Sequence, residues 1–331
     1  MNERKFVLGI DTSNYKTSVA ITDLKGNIIS DARRFLQVRQ GERGLRQSHA
    51  LFQHIENLPF LVEEAISSIS RDEIVAVAVS TRPRPVDGSY MPVFRAGEST
   101  ARSIAAALDV PIYEFSHQEG HIKAIASGTR FDSEDEFLSY HLSGGTCELL
   151  KVKTTESGYE IEILGGTKDI SYGQVIDRLG VLLGMSFPAG EEMDKLALES
   201  AAETKLLKKI PLDNLEINLS GIDTQCKRCV ENAEGNIDKA ALSKELFSKI
   251  ADSLAALTKK AVETTGINKV LFAGGVSSSS YIRAYLGKAF ARENIIYEFG
   301  DPVLSSDNSV GIAFLGGKVY GNEARKGITT E

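Results

Sequence analysis

A strand–loop–strand–turn–strand pattern occurs twice in this chain and constrains its fold more than any other feature. The first copy begins at Phe6, passes through a polar loop that starts at Asp11, and turns at Lys25-Gly26-Asn27 before Ile28. The second copy covers residues 137–164, with a loop at 143–146 and a turn at 156–158. Apolar runs bounded by polar, glycine-containing turns indicate strands. Two such units predict a duplicated, two-lobed protein.

Strands and helices alternate along the rest of the chain. The pattern predicts helices over 58–69, 96–108 and 242–265, and strands over 74–80, 111–115 and 269–273. Gly266 follows the last helix as a C-cap. This alternation predicts an α/β protein. We expect an N-terminal lobe over 1–120 and a C-terminal lobe over 121–331. An alternative is that the C-terminal helix returns to the first lobe.

Composition narrows the class of protein. The 331 residues correspond to about two domains, and 38 Lys and Arg against 45 Asp and Glu give a formal net charge of −7. There is no broad basic footprint for nucleic acid. Arg33-Arg34 and Arg82-Pro-Arg-Pro85 are interpreted as solvated charges, and as the best local candidates for an anionic partner.

No apolar run reaches the roughly 18 residues that cross a bilayer, and three cysteines argue against a disulfide framework. We expect a cytoplasmic protein without a membrane partner.

Two histidines follow the strand at 111–115. If His117-Gln-Glu-Gly-His121 is helical, a spacing of four places both imidazoles on one face, where they could chelate a metal; the alternative is two surface or capping histidines. Asp307 precedes an apolar segment, and from the sequence alone a helix N-cap is favoured over a metal ligand. Cys226-Lys-Arg-Cys229 has no second cysteine pair, so we expect no zinc or redox role for it.

Three small-residue loops follow predicted strands. They are Asp11-Thr12-Ser13, Ser143-Gly144-Gly145-Thr146 and Gly274-Gly275. Each could present backbone N–H groups to a phosphate, or could simply be a tight turn. The chain contains neither a P-loop nor a GxGxxG motif after a strand, which disfavours those nucleotide-binding classes. The loops together suit a ligand site in an interdomain cleft.

The motifs, in their order, resemble one known family. They are Gly9-Ile-Asp-Thr-Ser13, His117-x-x-x-His121, Leu142-Ser-Gly-Gly-Thr146, Val175-Ile-Asp177-Arg-Leu179, Phe187-Pro-Ala-Gly190, Ala273-Gly-Gly-Val276 and Ser306-Asp307-Asn308. This set is similar to that of the catalytic subunits of tRNA threonylcarbamoyladenosine synthase, once labelled O-sialoglycoprotein endopeptidases. The resemblance runs from about residue 6 to about residue 317. It implies the duplicated, two-lobed actin-like/Hsp70/sugar-kinase ATPase fold.

The resemblance also implies ligands. His117, His121 and Asp307 would hold one divalent metal, iron or zinc. ATP or an acyl-adenylate would bind Leu142, Ser143, Gly144, Gly145 and Thr146, together with Asp177, Gly190, Asp194, Gly274, Gly275 and Ser279, the last standing where the family usually has Asn. The implied reaction is acyl transfer from threonylcarbamoyl-adenylate to adenosine 37 of tRNA, with AMP leaving and the metal as Lewis acid. Accessory subunits or a homodimer are the implied protein partners.

Several positions depart from the family pattern. Asp11, the predicted catalytic acid, replaces a Glu and retracts the carboxylate by about 1.5 Å. Asn14-Tyr15-Lys16 replaces a Cys-Asp-Glu run, and 82–88 replaces Gly-Pro-Gly-Leu. His141 is a candidate fourth metal ligand. These changes favour a paralogue, so a different carbamoyl acceptor and a non-catalytic nucleotide-binding partner subunit are the alternatives. A sugar kinase does not need the two histidines, and a metalloprotease would need the Glu of HExxH.

Overall fold

The computed structural model describes residues 5–13, 15–38, 45–233 and 236–328. Asn14 therefore lies outside the described residues. The chain forms two compact units. The first contains residues 1–135, 153–161 and 303–331, and the second contains residues 136–152 and 162–302.

The first unit contains a five-stranded sheet in the order β3-β2-β1-β4-β5. Its strands are β1 (Phe6–Thr12), β2 (Lys16–Asp23), β3 (Ile28–Phe35), β4 (Ile74–Arg82) and β5 (Ile112–Ser116). β2 runs antiparallel to both β1 and β3, whereas β4 is parallel to both β1 and β5. Every residue of β1 is buried, as expected of a central strand covered on both faces. The first predicted strand–loop–strand–turn–strand unit is therefore confirmed.

Three helices of this unit follow in chain order: α1 (Gln47–Ile66), α2 (Phe94–Leu108) and α3 (His117–Ala126). The predicted start of α1 at residue 58 is wrong. Pro59 lies inside the helix, and the buried residues Ala50, His54 and Leu58 extend the packed face a further two turns toward the N-terminus. Tertiary packing of that face outweighs the local tendency of proline to begin a helix.

The second unit carries a seven-stranded sheet in the order β12-β11-β6-β7-β8-β10-β9. Its strands are β6 (Glu136–Leu142), β7 (Cys147–Thr154), β8 (Tyr159–Thr167), β9 (Leu212–Asp213), β10 (Glu216–Ile217), β11 (Lys269–Ala273) and β12 (Ile296–Phe299). The order β8-β7-β6-β11-β12 repeats the order β3-β2-β1-β4-β5 of the first sheet. The duplication predicted from two sequence copies is therefore a duplication of topology.

The described residues of the second unit form five α-helices: α4 (Tyr172–Leu182), α5 (Gly190–Glu199), α6 (Ser220–Asn232), α7 (Lys239–Thr265) and α8 (Ser280–Phe290). α7 ends where predicted, because Gly266 adopts a φ of +73° and donates its N–H to the carbonyl of Val262. Cys226 and Cys229 lie on α6, where Cys226 is buried in the core and both are free thiols.

The last helix, α9 (Val310–Ile328), belongs to the first unit and packs against α3. The two helices cross at glycines: a Cβ on Gly311 would lie 1.8 Å from the carbonyl oxygen of Gly120. The predicted boundary between residues 120 and 121 falls inside α3, both ends of which lie in the first unit. No helix within the described part of the chain has the length and apolarity needed to cross a membrane.

Candidate metal centre and nucleotide pocket

His117 and His121 project from α3 in the first unit. α3 begins directly after β5, so His117 is its first residue and His121 lies one turn later. The start is fixed by a capping box, in which the Ser116 hydroxyl accepts the Glu119 N–H and the Glu119 carboxylate accepts the Ser116 N–H at 2.7 Å. The helical spacing required for chelation is confirmed.

Asp307 reaches the same point from the segment before α9. Its Oδ1 atom lies 3.1 Å from His121 Nε2 and 3.6 Å from His117 Nε2, and the two Nε2 atoms are 3.0 Å apart. The favoured helix-cap role for Asp307 is wrong: α9 begins at Val310, whose N–H is accepted by the Asn308 side chain. The crossing at Gly120 and Gly311 explains the proximity, because it holds α3 against the helix that follows Asp307.

The cluster fits a metal ion. Tetrahedral ligands at the usual Zn–N and Zn–O distances lie about 3.3 Å from one another, close to the separations in this cluster. Two imidazole nitrogens and one carboxylate oxygen suit zinc or iron and leave a coordination position open. Among the described residues, His117, His121 and Asp307 are the group of His, Cys, Asp and Glu side chains that could together hold a metal ion.

Asp11 lies behind His117 rather than in the ligand group. Its Oδ1 atom is 2.9 Å from His117 Nδ1 and accepts the Ser80 hydroxyl at 2.5 Å, and the side chain is fully buried. A carboxylate bound to Nδ1 fixes the imidazole so that Nε2 presents its lone pair. Sequence reasoning missed Ser80. Its signal was available, since Asp11 and Ser80 lie near the carboxyl ends of two parallel neighbouring strands, each one residue beyond the pair Ile10–Val79.

The charges of the cluster perturb one another. Burial alone would lower the pKa of His117, but the charges of Asp11 and Asp307, and hydrogen bonds to both, raise that pKa to about 10. Burial would raise the pKa of Asp307, yet hydrogen bonds from His117 and His121 hold it well below its usual range. Burial would also raise the pKa of Asp11, but the charge of His117 and its hydrogen bond to Asp11 lower that pKa, and the lowering is the larger effect. In the metal-free cluster, His117 and the carboxylates of Asp11 and Asp307 thus stabilise one another's charges.

Two further residues support the arrangement. Ser13 donates its hydroxyl to Asp307 Oδ2 at 3.2 Å, which leaves Oδ1 facing the histidines. The Glu119 carboxylate also accepts the Tyr159 N–H at 3.3 Å and is 6% exposed, so the acid between the two histidines is used for structure. This disposition removes the general base that a metalloprotease would need.

The second unit contains a separate pocket of about 520 Å³. Of the predicted nucleotide-binding residues, six line it: Gly144, Asp177, Gly190, Asp194, Gly275 and Ser279. Leu142 is buried at the end of β6. Gly274 lies against it and has a φ of +96°, and a Cβ at Gly274 would collide with the Leu142 carbonyl. A pocket of this size, in which glycines and apolar side chains such as Phe247 stand beside Asp177, Glu191 and Asp194, suits the adenosine part of a nucleotide.

The polar groups of this pocket have partners within the unit. The Asp194 carboxylate accepts the N–H groups of Ser280 and Tyr281 and the Ser279 hydroxyl, and so caps α8. Ser143 Oγ accepts the N–H groups of Gly145 and Thr146 at 3.2 and 2.9 Å. The predicted phosphate cradle at 143–146 is thus a closed turn in which the protein already uses two of the amides.

His141 lies on β6 in the second unit, beside Ala273 of β11, and is half-buried. Among the described residues, His141 does not belong to the group formed by His117, His121 and Asp307, so its role as a fourth metal ligand stays a prediction.

Comparison with known proteins identifies the family. Residues 36–314 match the family of tRNA N6-adenosine threonylcarbamoyltransferases. The chain belongs to this family. Relatives with that name are 28% identical over 312 residues in Neorickettsia sennetsu and 29% identical over 323 residues in Halalkalibacterium halodurans. These alignments cover 93% of this chain in both cases, and 92% and 89% of the respective relatives.

Solved structures show the fold. HypF from T. kodakarensis has a TM-score of 0.58 at 13% identity, covering 96% of this chain and 48% of that protein. A ROK family glucokinase from Streptomyces griseus has a TM-score of 0.52 at 12% identity, covering 94% and 99%. The predicted actin-like/Hsp70/sugar-kinase fold class is confirmed.

Proposed function

We propose that this chain transfers the threonylcarbamoyl group of threonylcarbamoyl-adenylate to the exocyclic amine of adenosine 37 in tRNA. The observation that carries the proposal is the cluster of His117, His121 and Asp307, in a chain of the threonylcarbamoyltransferase family. The amine nitrogen forms a bond to the carbamoyl carbon, the bond from that carbon to the phosphate oxygen breaks, AMP leaves, and the amine loses a proton.

The first unit provides the metal site for this reaction. His117, His121 and Asp307 would hold one iron or zinc ion, which supplies Lewis acidity toward the oxygens of the acyl donor. Asp11 acts on transfer through His117, because it binds Nδ1 and keeps Nε2 aimed at the other ligands. Ser13 holds Asp307 in the orientation that exposes Oδ1.

The second unit provides the nucleotide site. The pocket lined by Gly144, Asp177, Gly190 and Ser279 would bind the adenosine part of the adenylate. Asp177 accepts the Ala189 N–H through Oδ1 at 2.9 Å, which positions its carboxylate at the pocket wall. The residues Leu142, Ser143, Gly145, Thr146, Gly274 and Gly275 remain proposed contributors through the backbone around this pocket.

The test is transfer to unmodified tRNA by purified protein of known metal content. The reaction contains threonylcarbamoyl-adenylate and the accessory subunits of a working family member, and the digested tRNA is analysed by mass spectrometry for threonylcarbamoyladenosine. We expect product, and we expect it to vanish in His117→Ala. His49→Ala removes an exposed histidine of the same unit and is the matched control.

Two outcomes would contradict the proposal. The first is no product where the positive control is active, with AMP still binding to the chain; this would favour the non-catalytic partner subunit or another acceptor. The second is product that persists in His117→Ala without stoichiometric metal, which would remove the metal cluster from the reaction.

A further inference from the structure

Lys16 is a buried lysine at the first residue of β2. The residue is 8% exposed, and its Nζ atom lies 4.5 Å from the centroid of the Phe35 ring across the strand pair. Within the described part of the chain, its ammonium group has no hydrogen-bond or ion-pair partner. Lys123, which is 9% exposed, is different because it forms an ion pair with Asp132.

Such a group is unfavourable unless something else compensates its charge. Most of the Lys16 side chain is withdrawn from water, and a ring face replaces the hydration of an ammonium group only in part. Phe35 is 71% exposed, so its ring interacts with the cation near water, where cation–π attraction is weak. A charge of this kind is normally paired with a group of opposite charge, which an anionic ligand can supply.

The geometry of β2 places Lys16 beside the metal cluster. Alternate residues of a strand share a face, so Lys16 lies on the same face as Ser18. The Ser18 hydroxyl accepts the N–H of Ser309 at 3.0 Å, and Ser309 is two residues from Asp307. The loop that precedes β2 also reaches the cluster, because Ser13 donates to Asp307.

The other charges on this face already have partners. Arg33, opposite Ser18 on β3, forms an ion pair with Asp31 and donates to the Val303 carbonyl and the Ser306 hydroxyl, both at 3.1 Å. Arg33 was expected to be a solvated charge, and this is wrong because the segment before Asp307 covers it. Burial lowers the pKa of Lys16, whereas the charge of Asp307 raises it. Metal binding to Asp307 would neutralise the nearest opposing charge.

We propose that Lys16 binds an anionic oxygen group of the substrate held at the metal cluster. This inference rests on the proposed function, because threonylcarbamoyl-adenylate offers two such groups: the carboxylate of its threonyl part and its phosphate. Either would provide the direct partner that the described residues do not, through charge-assisted hydrogen bonds to the ammonium group. Lys16 would then fix the acyl donor next to the ligands His117, His121 and Asp307.

The test follows the Lys16 ammonium group directly. Zinc-loaded protein is labelled with ¹³C at the lysine ε-carbon, and the Lys16 signal is assigned by its loss in Lys16→Met. Sodium acetate and inorganic phosphate are titrated separately as carboxylate and phosphate probes. We expect a saturable shift of the Lys16 signal and no comparable shift of Lys25, an exposed lysine in the turn between β2 and β3.

The probes distinguish the two sources. A response to acetate alone assigns the threonyl carboxylate, a response to phosphate alone assigns the phosphate, and a response to both assigns a general oxyanion site. A Lys16 signal that moves no more than that of Lys25 with either probe overturns the inference.

A second measurement uses the whole substrate. The dissociation constant for threonylcarbamoyl-adenylate should rise about tenfold in Lys16→Met and much less in Lys16→Arg, which keeps the charge. Metal content and circular dichroism check that Lys16→Met is folded. Neither experiment contains tRNA, so failure of transfer with retained Lys16 shifts would contradict the proposed function alone. Transfer activity without a Lys16 response would contradict this inference alone.

Discussion

Helix α9 contains two glycines whose replacement by alanine should have opposite effects. A Cβ on Gly311 would lie 1.8 Å from the carbonyl oxygen of Gly120 and 2.7 Å from the backbone nitrogen of Ala124, both on α3. A Cβ on Gly321 would meet no atom within 4 Å. The two substitutions therefore add the same methyl group to the same helix, once at the crossing with α3 and once in open space.

The magnitude follows from these distances. α3 and α9 must separate by about 1.2 Å before the contact at Gly311→Ala reaches 3.0 Å, and both partners are backbone. We expect a loss of about 1–3 kcal/mol in the free energy of unfolding of the first unit, toward the upper end. Gly321→Ala should gain about 0.5–1 kcal/mol, because glycine is the poorer residue in a helix.

The separation should also reach the metal site. His117 and His121 lie on α3, and Asp307 directly precedes α9, so a displacement of about 1.2 Å exceeds the roughly 0.2 Å tolerance of metal–ligand distances. We expect the zinc affinity of Gly311→Ala to fall at least about tenfold, and that of Gly321→Ala to be unchanged.

Two assays measure these effects. Urea unfolding followed by circular dichroism, with hydrogen exchange of β1 amides as the reporter for the first unit, gives stability. Competition with a chromophoric chelator gives zinc affinity. The explanation of the site by close helix crossing is refuted if Gly311→Ala is as stable as the unmodified chain, or binds zinc as tightly as Gly321→Ala.

Three further predictions concern individual groups. His121→Ala should lose stoichiometric metal while keeping its circular dichroism, as measured by atomic emission; metal retained at one equivalent would contradict the ligand assignment. Asp11→Asn should weaken zinc binding about 10–100-fold, because a neutral amide no longer supports His117, and equal affinity in chelator competition would assign Asp11 another role. Zinc affinity should rise by up to about tenfold per pH unit between about pH 6 and about pH 8. The pKa of His117 in the metal-free cluster is raised to about 10, so zinc binding must displace its proton. A zinc affinity that is independent of pH would contradict this reasoning.

Local pattern was a sound guide to the strands and to the spacing of the histidines. β11 was predicted with its observed bounds, and α7 was predicted with its C-terminal end and its Gly266 cap. These elements succeeded because their signals, apolar periodicity and a left-handed glycine, lie within a few residues. α1 was predicted to begin eleven residues too late, because the packing that extends it toward the N-terminus from Pro59 is against β2 and β3, which lie elsewhere in the sequence.

The metal ligands show most clearly what the sequence determines and what the tertiary structure decides. The sequence by itself determined that two imidazoles share one face of a helix, since a spacing of four guarantees this once α3 forms. Only the tertiary structure decided that Asp307 joins them instead of capping α9, and that Asp11 and Ser80 lie behind His117. It also decided that Lys16 is buried with no direct hydrogen-bond or ion-pair partner among the described residues. Residues separated by up to 294 positions meet there through strand order and through the glycine crossing of α3 and α9. Such contacts depend on how elements pack, and no local pattern of residues encodes that packing.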